Sequence, residues 1–236
     1  MQILTTLEIN SKPLLKAKKP RIWLTGAEGF IGHNILEQLG EKYDIYTPTH
    51  EDLDLVNSVD VEGYLADKYF DVVIHCACVG GRRNLPDEKI HFDINYDMFE
   101  NILENKEHFK YLINIGSGAD VLETWYGKAK RVIAQIIREH KNMINLRCFG
   151  VWGKYEKPDR FPTICLMSDE VTIPEDKKMR YIHVDELVKI VDKLIQQWPK
   201  VNKRYDLGEP ILLSKFAKQL NPNIKVMVTG RGKDYV

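Results

Sequence analysis

The 236-residue chain carries no excess of either charge: 34 Lys and Arg are matched by 34 Asp and Glu. Polyanionic surfaces hold proteins through surplus positive charge, so neither nucleic acid nor an anionic membrane is expected as a partner. Cysteine is scarce, with only Cys76, Cys78, Cys148 and Cys165. One residue rather than two separates the first pair, so there is no zinc or thioredoxin spacing and no metal is expected. Three of the four lie in or beside apolar, strand-like runs, which predicts buried free thiols in a reducing compartment. No apolar run reaches the roughly 18 residues that cross a bilayer. The N-terminus lacks the long apolar stretch of a secretory signal, and the cytoplasm is the expected location. Internal repeats and low-complexity tracts are absent.

What is present is an ordinary globular composition, 44% hydrophobic and 29% charged, in a chain long enough for one large domain. Residues 1–19 show no periodicity and read as an N-terminal extension. From Arg21, short apolar runs alternate with segments of helical spacing. Strands are expected at 21–25, 44–47, 71–76, 109–115 and 143–148, with helices at 30–39, 58–68, 87–106 and 125–140 between them. Five such alternations with short connections predict an α/β fold, a doubly wound parallel sheet of the Rossmann type over 20–150. Beyond 150 the pattern loosens around Pro158, Pro162 and Pro174. A helix is expected at 184–197, a strand near Arg204–Leu207, a helix from Ser214 and a strand at Ile224–Val228. Residues 151–236 therefore read as a small, abbreviated C-terminal substrate-binding region, part of which (about 180–210) returns to the Rossmann domain.

Two constellations carry chemistry. Gly26-Ala27-Glu28-Gly29-Phe30-Ile31-Gly32 lies between the first strand and the first helix. Three glycines there allow a tight turn, close approach of a pyrophosphate and close packing of the helix. The helix N-terminus offers free N–H groups and the positive end of its dipole. The second constellation is Tyr126-x-x-x-Lys130 at the start of the fourth helix, where residues four apart share a face. A free phenol has a pKa of about 10. An ammonium held beside it stabilises phenolate and makes the tyrosine a usable acid or base.

The run Thr25–Gly32 resembles the extended short-chain dehydrogenase/reductase superfamily of nucleotide-sugar epimerases, dehydratases and reductases. Further segments match in family order: Asp54-Leu55-Val56-Asn57, His75-Cys76-Ala77-Cys78, Asn95 and Asn101, Arg147 to Gly153, Arg180 to Asp185, and Tyr205 to Gly208. The resemblance covers roughly residues 20–220. It implies that the glycine loop, with Glu28, Phe30 and Ile31, holds the dinucleotide, and that Asp54 and Leu55 lie at the adenine. It also implies that Cys76 and Ala77 flank the cofactor and that Lys130 bonds the nicotinamide ribose. Tyr126 would protonate a carbonyl oxygen and Ser117, the hydroxyl at the end of the fourth strand, would orient it. Val79, Arg147, Arg180 and His183 fall at the substrate, with His183 equally readable as a helix cap.

Ser117-Gly118-Ala119-Asp120 lacks the Thr-Asp-Glu run of the family's dehydratases, which disfavours dehydration. Val79-Gly80-Gly81 is similar to the stretch found in reductases of the GDP-fucose synthase type, and a related resemblance extends to dTDP-ketorhamnose reductases. The expected activity is NAD(P)H-dependent reduction of a keto nucleotide-sugar. A nucleotide-sugar epimerase and a non-catalytic NAD(P)-binding protein are the alternatives. NAD enzymes usually place an acid at the end of the second strand; Tyr46-Thr47-Pro48-Thr49-His50 has none, leaving His50 as the contact there. Glu28 would repel a 2′-phosphate, yet the preferred relatives are reductases, which tips the expectation to NADP(H). A homodimer, common in the superfamily, is the expected protein partner.

Overall fold

The computed structural model describes residues 18–81, 85–199 and 205–236. The expected extension at 1–19 lies outside them apart from its last two residues, as does Arg204. β1 (Arg21–Thr25) buries Ile22, Trp23 and Leu24 completely, as a strand covered on both faces must. It leads through the glycine loop into α1 (Phe30–Leu39), then β2 (Asp44–Tyr46), α2 (Ser58–Leu65) and β3 (Phe70–His75). Next come α3 (Lys89–Glu104), β4 (Phe109–Ser117), α4 (Trp125–Arg138) and β5 (Met143–Cys148). The remainder holds β6 (Val151–Trp152), α5 (Phe161–Met167), β7 (Glu170–Ile173), β8 (Lys178–His183) and α6 (Val184–Gln196). It closes with β9 (Tyr205–Leu207), β10 (Glu209–Leu212), α7 (Leu213–Leu220) and β11 (Lys225–Val228).

Six strands pair in parallel in the order β2-β1-β3-β4-β5-β9. The order reverses between β1 and β3, so connections leave that point in opposite directions and open a crevice at the carboxyl ends of the strands. One face is covered by α1 and α6. The α6 stripe Val184, Leu187, Val188, Val191, Leu194 and Ile195 repeats at helical spacing and shares one core with Ile22, Leu24 and Ile74 of the sheet. The other face takes Val61, Phe99, Ile102, Ile133 and Ile137 from α2, α3 and α4 against Trp23, Val73 and Leu112. This is the doubly wound arrangement read from the sequence.

The elements differ from expectation mainly in length and in the second half. The third strand starts one residue earlier than 71 and stops at His75, which leaves Cys76 beyond its end. Beyond residue 150, β6, β7, β8, β10 and α5 all escape sequence patterning. β6 and β7 are too short to establish a period, and β8 and β10 carry charged residues or proline among their apolar ones. They form a three-stranded sheet, β10-β8-β6, and a parallel pair, β11-β7, over a small core that includes Cys165, Val171, Ala217 and Ile224. The thiols also need correction: Cys148 and Cys165 are buried, but Cys76 is only partly covered and Cys78 is exposed. No helix among the described residues is long and apolar enough to cross a membrane.

Candidate active site

The glycine loop turns at the strand reversal. Gly26 is left-handed (φ +68°), and a Cβ there would stand 2.6 Å from the Ala77 nitrogen on the neighbouring strand end. Only glycine meets both conditions. A Cβ on Gly32 would run into the Gly26 carbonyl, so α1 starts directly against the turn. Gly29 and Glu28 face solvent, and among the described residues no side chain caps the first turn of α1. An uncapped helix start behind a glycine cradle fits a pyrophosphate.

The strand ends beside the loop are tied together by buried polar groups. The Ala77 N–H donates to Thr25 Oγ1 at 3.3 Å, and the same hydroxyl is hydrogen-bonded to His75 Nδ1 at 2.9 Å. Burial, with Lys130 adding to it, pushes the His75 imidazole down to about 3. It is therefore neutral. Asn95 clamps Val79, accepting from its N–H (3.1 Å) and donating to its carbonyl (2.9 Å). Asn101 donates to the carbonyls of Leu55 and Val56 at 2.9 and 3.0 Å. That holds the Asp54-Leu55 turn against α3. Asp54 accepts from the Val56 N–H, and the largely exposed His50 sits 3.9 Å from its carboxylate.

Ser117, Tyr126 and Lys130 are brought together at the end of β4. Lys130 lies on the buried stripe of α4 with Ile133, Ala134 and Ile137, and is 4% exposed. Its ammonium donates to the Ile115 carbonyl at 3.4 Å and lies 5.6 Å from the Tyr126 ring centre. The Ser117 side chain is close enough to the phenol to lower its pKa. Ser117 Oγ accepts from the Ala119 N–H at 3.1 Å, which leaves its own proton to donate. Burial raises the phenol above its usual range, while Lys130 and Ser117 pull it down without cancelling the rise. The sequence alone suggested only the downward effect. Cys76, Cys78 and Cys148 complete the surroundings of Lys130, and burial drives the Cys148 thiol up to about 12.

Two further features complete this cluster. Gly80 and Gly81 are both left-handed and fold the end of the β3 segment over α4, so that a Cβ on Gly81 would lie 2.8 Å from Tyr126 Cζ. Asp87 accepts from the backbone N–H groups of Trp125 and Tyr126 (3.1 Å for the latter) and, with Thr124, caps the helix that presents the phenol.

Three of the expected substrate contacts are otherwise engaged. Arg147, 2% exposed, is spent on Asp120 and Asp206, and Arg180, equally buried, donates to the Gly208 carbonyl at 2.8 Å. Both guanidiniums flank the Phe149 ring, and the buried Arg180 Nε has no hydrogen-bond partner among the described residues. His183 caps α6, accepting from the Asp185 N–H at 3.3 Å, and packs on the edge of Trp152. The cap at His183 is one of the two readings its sequence position allowed, whereas the partners of Arg147 and Arg180 were not foreseen. Each arginine meets a partner distant in sequence, which a motif match does not reveal.

A crevice at the point where a parallel sheet changes direction, lined by such a glycine turn, is the dinucleotide site of Rossmann-like α/β proteins, and this chain is one by its fold. More narrowly, it belongs to the NAD dependent epimerase/dehydratase family, whose model matches residues 22–208. Over 77 residues it is 36% identical to the GDP-L-fucose synthase of Azorhizobium caulinodans, covering 32% of this chain and 25% of that protein. Over 102 residues it is 33% identical to the GDP-L-colitose synthase of Yersinia pseudotuberculosis, covering 41% and 33% respectively. The matched segments thus span a quarter to a third of those relatives. The dTDP-4-dehydrorhamnose reductase of Bacillus anthracis, solved with NADP, superposes with a TM-score of 0.75 over 90% of this chain and 84% of its own, at 22% identity. The GDP-mannoheptose C4 reductase of Campylobacter jejuni, with NADP bound, gives 0.77 over 92% and 90%, at 16% identity. These likenesses show a shared fold.

Proposed function

We propose that the protein reduces a keto group on a nucleotide-linked sugar with NAD(P)H. The observation that carries this reading is the Tyr126 phenol beside Ser117, with the buried Lys130 ammonium 5.6 Å from its ring centre. The bound nicotinamide supplies hydride. The glycine cradle and the N–H groups of Phe30, Ile31 and Gly32 would hold the pyrophosphate, and Lys130 the ribose. The Asp54-Leu55 turn and His50 would lie along the adenosine, with Cys76 and Ala77 beside the cofactor.

Reduction needs a protonated donor, and a phenol is one at neutral pH, the more so here because burial raises it. Ser117 would donate to the carbonyl oxygen as negative charge builds on it, and Tyr126 would then hand over its proton. Lys130 keeps that proton transfer accessible by stabilising the phenolate left behind. Asp120, the carboxylate nearest the serine in sequence, is taken up by Arg147, which speaks against a dehydratase-like base there. NADP(H) is the preferred cofactor, in keeping with the NADP held by both reductases of similar fold.

The test is a panel of dTDP- and GDP-linked 4-keto sugars with NADPH or NADH, following the absorbance of the reduced nicotinamide. The expected result is net consumption with at least one sugar, and a Tyr126→Phe rate lower by about 100- to 10,000-fold with dinucleotide affinity unchanged. Inversion of a sugar centre without net consumption would instead indicate an epimerase. Silence across the panel from protein that binds NADPH would indicate a non-catalytic binding protein.

A further inference from the structure

Ser117 and Tyr126 are nine residues apart and belong to different elements, β4 and α4. What joins them is the single 3-10 turn Gly118–Val121 and the Leu122–Thr124 segment. One side chain grips that turn from the sheet. Arg147 stands on β5 in register with Gly116, the residue before the serine. Its Nε donates to both Asp120 carboxylate oxygens at 2.8 Å, its Nη2 donates to Asp120 and to the Gly118 carbonyl (3.4 Å), and its Nη1 reaches Asp206 on β9 at 3.5 Å. The Phe149 ring lies 4.5 Å from the guanidinium carbon and fills the space that a side chain at position 118 would need.

We propose that the Asp120–Arg147 pair, steadied by Asp206, is a positioning device that fixes the Ser117 hydroxyl against the Tyr126 phenol. The inference rests on the catalytic reading of those two residues given above. A buried ion pair is a poor source of stability, because desolvation offsets most of its attraction, whereas its fork geometry fixes position tightly. Here the fork holds the carboxylate and a carbonyl of one short turn at once. The serine hydroxyl, bonded to the Ala119 N–H inside that turn, can therefore move only if the turn does.

The experiment compares Asp120→Asn, the double variant Asp120→Leu with Arg147→Met, and Ser117→Ala. The double variant removes both charges of the pair together and carries Asp206→Asn as well, so that the carboxylate Arg147 also meets is not left charged beside apolar side chains. Two readouts are taken: kcat and KM on the sugar that consumes NADPH, and titration of the Tyr126 ring by NMR of tyrosine labelled at Cζ, assigned with Tyr126→Phe. The proposal predicts kcat lower by about 10- to 100-fold in both Asp120 variants with KM unchanged. It also predicts a phenol that titrates higher than in the parent, in the same direction as in Ser117→Ala, because Ser117, after Lys130, is one of the two groups that pull it down. A folded double variant with parental kcat and parental phenol titration overturns it. If no sugar is turned over, the titration decides alone: an upward shift supports positioning while the catalytic reading falls, and an unmoved phenol overturns positioning.

Discussion

Thr25, His75, Asn114 and Asn145 stand opposite one another across β1, β3, β4 and β5, all at most 5% exposed. They form a polar row one step below the site, with Asn114 donating to Asn145 at 2.6 Å and Thr25 bonded to His75. The His75 imidazole is depressed from 6.5 to about 3, by burial first and Lys130 second. A group whose neutral form is favoured in the fold contributes stability above its unfolded pKa, and that contribution is lost as pH falls through the window from 6.5 toward 3. Urea unfolding should therefore show a decline of a few kcal/mol on acidification through this window, each pH unit within it costing ~1.4 kcal/mol. His75→Asn should flatten the decline; an identical slope in the variant would count against the assignment. Single residues were unevenly legible. A lysine at 130 in step with Ile133, Ala134 and Ile137 is visible in the sequence as a charge on an apolar stripe. The partners of Arg147, 27 and 59 residues away, are not.

Among the elements, α1 depends most directly on its own sequence. Its start is set by where Gly32 meets the Gly26 carbonyl, leaving no room for a side chain. Gly32→Ala should push α1 off the turn and weaken NADPH binding by more than tenfold, which is about 1.4 kcal/mol. Fluorescence titration measures this directly, and unchanged affinity would separate the glycine turn from the cofactor. The opening alternation of strands and helices was readable because most elements there are long or largely apolar, the three-residue β2 excepted. The segment 151–236 was not. β7 buries only Val171 and Ile173, and β6 is two residues long, so both are held by partner strands rather than by a pattern of their own. The cap supplied by Asp87 to α4 is likewise invisible locally, since it comes from 39 residues before Tyr126.

At the scale of the molecule, a sheet that reverses its strand order between β1 and β3 puts the glycine turn, the His75–Ala77 strand end and the Ser117 strand end along one rim. α4 lays Tyr126 and Lys130 against that rim from the face it shares with α2 and α3. A dinucleotide stretched along the carboxyl ends would thus run from the Asp54-Leu55 turn to the phenol. A crystal structure of the NADPH complex tests this most directly. The account predicts the pyrophosphate on the N–H groups at the start of α1, Lys130 on the nicotinamide ribose and the Tyr126 hydroxyl beside the nicotinamide ring. A dinucleotide bound away from the glycine turn, or a ring remote from Tyr126, would contradict it.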